Sequence, residues 1–350
     1  MNPAKTQLEK EIAEQPGALS RTIDSSGAAI APLCRDLRAR DVTFVLIAAR
    51  GSSDNAGVYA KYVFPAFNGL PVAMTTPSLY TFYRKPPRLR NVLVLGISQS
   101  GQSEDIVEVL SEARRQGALT AAITADAGSP LAGSADHVLL LQTGPEKAVA
   151  ATKTFTSSLA LLACISACLE GDQERTAEIK GLPELAERTV KAAGEAVAAR
   201  AERYRYMDRC AVISRGFSYG IAMEIALKLK ELTYVTAESY SSADFLHGPM
   251  AIIEPGFPVI LLSSGGALLP HMREFAASLQ ERGAEIVSVS DTEEILSFGR
   301  TKLPVAAGSP EWLFPILSVI PGQLLSLHLA IAKGLDPDAP RGLHKVTVTR

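Results

Sequence analysis

The residues best suited to hold a charged ligand form a loop at residues 98–103, Ser-Gln-Ser-Gly-Gln-Ser, between an apolar run and a helical pattern. Free backbone N–H groups and the positive end of the helix dipole favour an anion at such a junction. The hydroxyls of Ser98, Ser100 and Ser103 add neutral donors. The loop therefore predicts a phosphate site that needs neither Lys nor Arg. The alternative is that Ser103 caps the helix and the other serines fill a turn.

A polar stripe on an otherwise apolar helical pattern, residues 221–234, could move protons. At about 100° per residue, Glu224, Lys228 and Glu231 fall on one narrow face, and apolar residues cover most of the rest. A polar stripe on a largely buried helix must be paired or must line a cavity. Glu224 and Lys228 could form a purely structural i, i+4 pair. Such a pair would leave Glu231 unexplained.

Two further residues have chemistry that suits proton transfer and attack on a carbonyl. His247 stands in a His-Gly-Pro turn, which positions an imidazole suited to proton transfer, although a loop histidine without a catalytic role is the alternative. Lys345 lies in a C-terminal tail, residues 333–350, that would ordinarily be frayed and solvated. Apolar residues within 343–348 favour docking instead. A docked Lys345 amine could form a Schiff base with a carbonyl.

These residues need a scaffold, and strands that alternate with helices predict an α/β fold with a parallel sheet covered on both faces. Two N-terminal helical segments, residues 5–23 and 26–40, precede the first strand, with a break near Pro16. A Gly/Ser turn at residues 50–57 leads from that strand into a helix, and a long apolar helix is predicted over 148–169. The predicted strands of the first half are residues 43–48, 72–75, 92–97, 119–124 and 137–141.

The second half repeats this plan with a period of about 165 residues. Residues 210–216 parallel residues 46–51, and residues 258–266 parallel the strand and loop that end at Ser103. The copies differ at residues 263–268, where Ser-Ser-Gly-Gly-Ala-Leu replaces the hydroxyl-rich loop. We therefore assign phosphate binding to the first copy alone.

Charged residues with two glycines and a proline at residues 170–183 place a domain boundary there. The predicted division is an N-terminal helical segment at 1–30, a first domain at 31–183, a linking helix at 184–206, a second domain at 207–335 and a C-terminal tail at 336–350.

The composition excludes several classes of protein. A chain of 350 residues that is 47% hydrophobic predicts two globular domains. A net charge of -2 offers no basic surface for nucleic acid. The most apolar window, residues 313–332, is interrupted by prolines and polar residues and predicts a buried helix rather than a membrane span. Because the four cysteines lack metal-binding spacing and the N-terminus lacks a signal core, we expect a cytoplasmic protein without a metal or cofactor.

These stretches together resemble the sugar isomerase (SIS) family, in particular the isomerase half of the glucosamine-6-phosphate synthases. The resemblance covers nearly the whole chain, from residues 10–16 to Lys345. It implies two tandem SIS domains, each a nucleotide-fold-like parallel sheet flanked by helices, in a homodimer. The most specific stretches are residues 98–101, 150–156, 224–231, 247–249 and 340–345.

The resemblance also implies which residues bind the substrate. Ser98, Gln99, Ser100 and Ser103 match the family's phosphate loop, in which Thr is usual at the position of Ser103. Ser52 and Ser53 match a Thr-Ser pair near the sugar, and Val149 matches a backbone position that contacts it.

The catalytic roles implied by the resemblance belong to three residues. Glu231 matches the base that moves a proton between sugar carbons. His247 matches the ring-opening acid/base, which in the family reaches in from the neighbouring subunit. Lys345 matches the lysine that forms an imine with the open-chain ketose, and Lys228 and Glu224 match residues that give polar support.

Some positions depart from the family pattern. Ala151 stands where a serine helps to hold the substrate. His344, which we include among the substrate-binding residues, replaces a small residue beside the lysine, so the identity of the sugar stays open. The chain begins Met-Asn-Pro without a glutaminase half or its cysteine nucleophile, so we expect no ammonia to be made from glutamine.

The chemistry that remains is aldose-ketose isomerisation of a phosphosugar, and the favoured reaction is deamination of glucosamine-6-phosphate to fructose-6-phosphate and ammonia. The enzyme alternatives are a plain phosphosugar isomerase, a fructosamine-phosphate deglycase and a synthase half supplied by free ammonia or by a partner glutaminase. A non-catalytic sugar-phosphate sensor is the alternative from another class. The presence of Glu231, His247 and Lys345 argues against the sensor.

Overall fold

The computed structural model describes residues 6–345. They fold as two compact units, each built on one five-stranded parallel sheet. The first-sheet unit comprises residues 17–146, 153–180 and 344–345, and the second-sheet unit comprises residues 6–16, 147–152 and 181–343. The predicted α/β class with two parallel sheets is confirmed.

Within the described residues, nine α-helices and five strands precede the first strand of the second sheet. These elements are α1 (Gln7–Ala13), α2 (Gln15–Ala39), β1 (Phe44–Ala49), α3 (Ser52–Asn68), β2 (Val72–Met74), α4 (Ser78–Thr81), β3 (Val92–Ile97), α5 (Glu104–Arg115), β4 (Leu119–Thr124), α6 (Pro130–Gly133), β5 (His137–Leu140), α7 (Lys153–Glu170), α8 (Gln173–Lys180) and α9 (Leu182–Ala198).

The second half continues with short 3-10 turns between its main elements. These elements are β6 (Arg209–Ser214), α10 (Tyr219–Thr233), β7 (Thr236–Ser241), α11 (Ser242–Leu246), β8 (Pro258–Leu262), α12 (Leu269–Glu281), β9 (Glu285–Ser290), α13 (Glu293–Leu296), β10 (Thr301–Pro304) and α14 (Phe314–Ala332).

The two sheets share one topology. The strand order is β2-β1-β3-β4-β5 in the first sheet, and the second sheet reads β7-β6-β8-β9-β10 when taken in the equivalent direction. β1 and β6 begin 165 residues apart. The duplication expected from the sequence is therefore present in the topology as well as in the spacing.

The centre of the first sheet is formed by β3 and β4, whose residues are all buried. Strands buried on both faces are nearly continuous runs of apolar residues, as these are. This is why the sequence located both strands with the bounds observed. β1 lies beside β3 in parallel, with Ala49 opposite Ile97. The loops that follow these two strands therefore leave the same edge of the sheet.

Three predicted helix boundaries were wrong. α2 is one continuous helix over residues 15–39 rather than two segments, and the chain breaks at Glu14. Pro16 is tolerated because it lies in the first turn of α2, where a missing N–H costs little. α3 begins at Ser52, directly after Gly51 with φ of 55°, so the serine pair lies in a helix rather than a loop. Residues 148–152 precede α7 and are not helical.

Two helices, α7 and α14, are long and apolar enough to cross a membrane by length and composition. Their most apolar windows are 78% and 89% buried inside the folded chain. Both are therefore core helices here, as predicted for residues 313–332.

Candidate active site

The loop at residues 98–103 connects β3 to α5 at the carboxyl edge of the first sheet. The backbone of Ser98 donates to Ile123 of the neighbouring strand, and Gly101 N donates to the Ser98 hydroxyl at 3.2 Å. Gly101 has φ of 63°, and a side chain there would collide with Ser129, so only glycine fits. Ser103 occupies the N-cap position of α5, but its side chain makes no capping hydrogen bond. The alternative in which this serine serves only as a cap is therefore not supported.

The second serine pair lies at the same edge. Ser52 and Ser53 form the first turn of α3, which follows β1, and both side chains are partly exposed. Because β1 and β3 are neighbours, the N-terminal turns of α3 and α5 face one edge of the first sheet. This edge brings together two hydroxyl-bearing helix starts, as a phosphate ester of a sugar would require.

Lys345 is held by a carboxylate that the sequence did not point to. Its Nζ donates to Glu146 Oε2 at 2.8 Å, and the Glu146 side chain is fully buried. Glu146 also accepts from the Thr154 hydroxyl at 2.7 Å and from the Thr154 backbone at 3.2 Å. The two Thr154 donors fix the carboxylate, and the carboxylate fixes the amine. The two partners are 199 residues apart, so no local pattern could have shown the contact.

In the second-sheet unit, the predicted stripe on α10 is a buried ion network. Lys228 Nζ lies 3.3 Å from Glu224 Oε1 and 2.6 Å from Glu231 Oε2. The side chains of Glu224 and Lys228 are 0% and 2% exposed, whereas Glu231 is 23% exposed. Glu224 and Lys228 are therefore more than an isolated surface pair. They orient Glu231, the one member of the stripe that reaches solvent.

Two opposing effects, burial and the neighbouring carboxylates, set the charge of Lys228. Burial lowers the pKa of the Lys228 ammonium, but the charges of Glu224 and Glu231 and their hydrogen bonds outweigh it, so the pKa is raised overall. Lys228 is thus a permanent cation at neutral pH. Its ammonium lies beside the Glu231 carboxylate, which the sequence predicts as the general base.

The segment that carries Val149 is held by a second residue that the sequence did not indicate. Glu11, on α1, is fully buried and accepts from the backbone N–H groups of Lys147 at 2.6 Å and Ala148 at 3.1 Å. Gln7 donates to the same carboxylate at 2.7 Å. Residues 147–152 belong to the second-sheet unit. Glu11 thus fixes the backbone at the start of the non-helical segment that precedes α7.

The loop of the second copy is already filled by the chain's own carboxylates. Gly265 N donates to Asp291 Oδ1 at 2.9 Å, and Ala267 N donates to Glu311 Oε2 at 3.0 Å. Burial raises the pKa of Asp291, while its bond from Gly265 lowers it and Glu311 raises it further. Two acidic side chains occupy the donors that an anion would use. This geometry supports the assignment of phosphate binding to the first copy.

The remaining predicted residues lie on the surface. His247 follows α11, is exposed, and precedes Gly248 with φ of 137°. His344 is also exposed, next to Lys345. The predicted roles of His247 and His344 therefore stay predictions.

The described part of the C-terminal tail is docked rather than frayed, and polar contacts hold it. Leu343 is 40% exposed. Asp338 instead accepts from the backbone of Gln7 and Leu8 at the start of α1, and Arg341 N donates to the Tyr234 hydroxyl at 2.7 Å. The predicted apolar residues at 346–348 lie outside the described residues.

No group of three or more His, Cys, Asp or Glu side chains within residues 6–345 is arranged to hold a metal ion. The four cysteines are free thiols. Burial raises the pKa of Cys210 to about 12, as expected for a thiol packed in the core.

Comparison with known proteins agrees with the observed fold. The SIS domain matches residues 40–165 and 205–333. The glutamine–fructose-6-phosphate aminotransferase (isomerizing) of Pectobacterium atrosepticum is 33% identical over 97% of this chain. This chain spans 58% of the length of that relative.

Two solved structures cover almost the same length as this chain. The C-terminal domain of the glucosamine-fructose-6-phosphate aminotransferase of Francisella tularensis is 30% identical, with a TM-score of 0.88 over 97% of this chain and 99% of that one. A protein of Silicibacter pomeroyi DSS-3, described as a proposed phosphosugar isomerase, is 35% identical, with a TM-score of 0.85 over 95% of this chain and all of that one.

Proposed function

Because the chain belongs to the SIS domain family and is homologous to the isomerase half of the glutamine–fructose-6-phosphate aminotransferases, we propose that it is a phosphosugar aldose-ketose isomerase that deaminates an aminosugar phosphate. The observation that carries the proposal is the ion network of α10. It presents one partly exposed carboxylate, Glu231, beside a buried permanent cation. A carboxylate held in this way suits a base that removes a proton next to a carbonyl or imine.

The proposed reaction begins with the phosphate held by the hydroxyls and N–H groups of residues 98–103. After the ring opens to the aldehyde, Glu231 removes the proton from C2 and returns it to C1. The electron pairs shift so that C1 becomes an alcohol carbon and C2 an imine. Water adds to that imine and ammonia leaves, which gives the ketose phosphate. For glucosamine-6-phosphate the products are fructose-6-phosphate and ammonia.

Lys345 is proposed to form an imine with the open-chain ketose. An ammonium cannot attack a carbonyl, so Lys345 must first lose a proton. Glu146 Oε2, 2.8 Å from the amine, is placed to accept it. The buried ion pair thereby both positions the amine and supplies the group that deprotonates it.

His247 is proposed to open the sugar ring in the site of a neighbouring subunit of a homodimer. Its exposure, together with exposed Leu246 and Ile252 nearby, supports a surface that a second copy covers. Mixing Glu231→Gln with His247→Ala tests this arrangement. If the partner's His247 completes each site, hybrid dimers regain one intact site and part of the activity. No recovery in dimers shown to exchange subunits would contradict it.

We propose deamination rather than amination as the net reaction. The test is release of ammonia and of ketose phosphate from glucosamine-6-phosphate, with fructosamine phosphates and simple phosphosugars in parallel. We expect equal amounts of ammonia and fructose-6-phosphate. Ammonia from none of these compounds, with interconversion of simple phosphosugars instead, would contradict deamination and favour a plain isomerase.

We also propose a cytoplasmic location for this enzyme. Four free cysteines support a reducing compartment. Fractionation of cells that produce the tagged chain would test it.

A further inference from the structure

A cation not expected from the sequence stands beside the proposed phosphate loop. Ala49, the last residue of β1, pairs with Ile97, the last residue of β3. The residues that follow them, Arg50 and Ser98, therefore leave the sheet side by side. The loop was predicted to bind phosphate without Lys or Arg, but an arginine follows the neighbouring strand β1 and lies beside the loop.

Asp105 holds this arginine in place. Arg50 Nε and Nη2 each lie 2.8 Å from Asp105 Oδ2. Asp105 lies in the first turn of α5, the helix that begins where the loop ends, and its side chain is 1% exposed. A buried carboxylate at this point would repel an incoming anion if its charge were not cancelled.

The exposure of the two partners is unequal, which distinguishes this pair from an ordinary surface ion pair. The Arg50 side chain is 51% exposed while Asp105 is buried. In a second pair, between Arg84 and Glu108 of α5, the side chains are 70% and 45% exposed, so both partners are solvated. A guanidinium has five N–H donors in a planar fork that matches phosphate oxygens. Asp105 thus fixes one side of the fork and leaves the group accessible to solvent.

We propose that Arg50 is a specificity residue of the phosphate site, which selects a phosphate dianion by charge, and that Asp105 is the residue that positions it. This inference rests on the proposed role of residues 98–103 in phosphate binding. It adds a cationic group to a loop that otherwise supplies neutral donors.

The test uses titration calorimetry of the full chain with inorganic phosphate and with fructose-6-phosphate. The variants are Arg50→Met, Arg50→Lys and the double variant Arg50→Met with Asp105→Asn, and Arg84→Met is the matched control. We expect Arg50→Met to raise Kd by about 10 to 100-fold, since a charge-assisted hydrogen bond is lost and a buried charge is left unpaired. Arg50→Lys should recover part of the affinity. The double variant should bind more tightly than Arg50→Met, because the repelling carboxylate is gone.

A pH series separates charge selection from a structural role. The second ionisation of a phosphate monoester lies near pH 6, so wild-type affinity should rise as the dianion forms. In Arg50→Met that rise should be smaller, whereas Arg84→Met should follow the wild type. Arg50→Met with a Kd within twofold of the wild type and an unchanged pH series would overturn the inference. If Arg50→Met does not fold, loss of affinity in Arg50→Lys and the double variant decides the same question.

The outcome is independent of the proposed reaction. Phosphate binding that depends on Arg50, without release of ammonia, would retain the inference and reject deamination. Release of ammonia by a protein whose phosphate affinity does not depend on Arg50 would reject the inference and retain deamination.

Discussion

Lys228 is a buried cation whose ionisation is tied to folding. Since its pKa is raised above the ordinary 10.5, the stability it contributes is fully present below that pH and is lost as the pH rises through the folded-state pKa. We expect Lys228→Met to unfold at lower urea, with a loss of about 3–5 kcal/mol near pH 8, because two carboxylates lose their partner. The difference from the wild type should shrink at pH values above the raised pKa.

Lys230→Met is the matched control, since Lys230 lies on the same helix and is exposed. It should be nearly as stable as the wild type throughout the series. A stability difference for Lys228→Met that stayed constant from pH 8 into the alkaline range would contradict the assignment of this network.

The pairing of Lys345 with Glu146 predicts a covalent adduct. Borohydride treatment in the presence of fructose-6-phosphate should add the mass of the reduced sugar phosphate to Lys345, as peptide mass spectrometry would show. Lys345→Arg should give no adduct, and Glu146→Gln should give it more slowly because the proton acceptor is lost. Lys302→Arg, at an exposed surface pair with Glu293, should label as the wild type. Labelling of another lysine, or undiminished labelling in Lys345→Arg, would disprove the role.

Individual residues were predictable from sequence where their partners are close along the chain. The stripe of Glu224, Lys228 and Glu231 spans two turns of one helix, and helical periodicity alone placed the three together. Glu146 and Asp105 could not be found in this way. Their partners, Lys345 and Arg50, come from distant segments, and only the folded chain shows which carboxylate meets which cation.

Among the elements, β3, α5 and β4 were predicted with the bounds observed. Each is an uninterrupted apolar run or an amphipathic helix with clear polar boundaries, so local preference and burial agree. Residues 148–152 were predicted as helix and are not. At the start of this segment, the N–H groups of Lys147 and Ala148 donate to Glu11 on α1, a contact over more than 130 residues that no local pattern records.

The contact between α1 and this segment predicts a kinetic effect at a distance from the chemistry. Glu11→Gln replaces a carboxylate that serves two backbone donors with an amide that serves them less well. Because Val149 lies in the same segment, we expect KM for the phosphosugar to rise about tenfold while kcat falls less, and amide exchange at Lys147 and Ala148 to accelerate. Glu14→Gln, an exposed neighbour, is the control. An unchanged KM together with faster exchange would show that the segment does not take part in substrate binding.

Within residues 6–345, duplication supplied two similar sheets, and the chain's own carboxylates accept from N–H groups of the second loop. We therefore expect one phosphosugar to bind per chain, measured as stoichiometry by titration calorimetry. Ser100→Ala should weaken this binding, whereas Ser264→Ala, in the second loop, should leave it unchanged. Two sites per chain, or equal effects of the two substitutions, would show that Asp291 and Glu311 do not close the second loop.

The α/β class, the duplication and the family followed from the sequence because each is spread over many residues. The direction of the reaction did not follow from the sequence. The relatives that match in sequence are longer than this chain, which spans 58% of the length of the first of them. Whether ammonia is released or used must therefore be measured on this chain itself.

The most direct measurement is the rate of ammonia release from glucosamine-6-phosphate by the wild type and by Glu231→Gln, with phosphosugar binding recorded for both and Glu293→Gln as the surface control. General base catalysis accounts for roughly 10² to 10⁴-fold in rate. We predict that the wild type releases ammonia and fructose-6-phosphate in equal amounts, and that Glu231→Gln is slower by about that factor although it binds the phosphosugar normally. No ammonia from the wild type, or equal rates from the wild type and Glu231→Gln, would contradict the account.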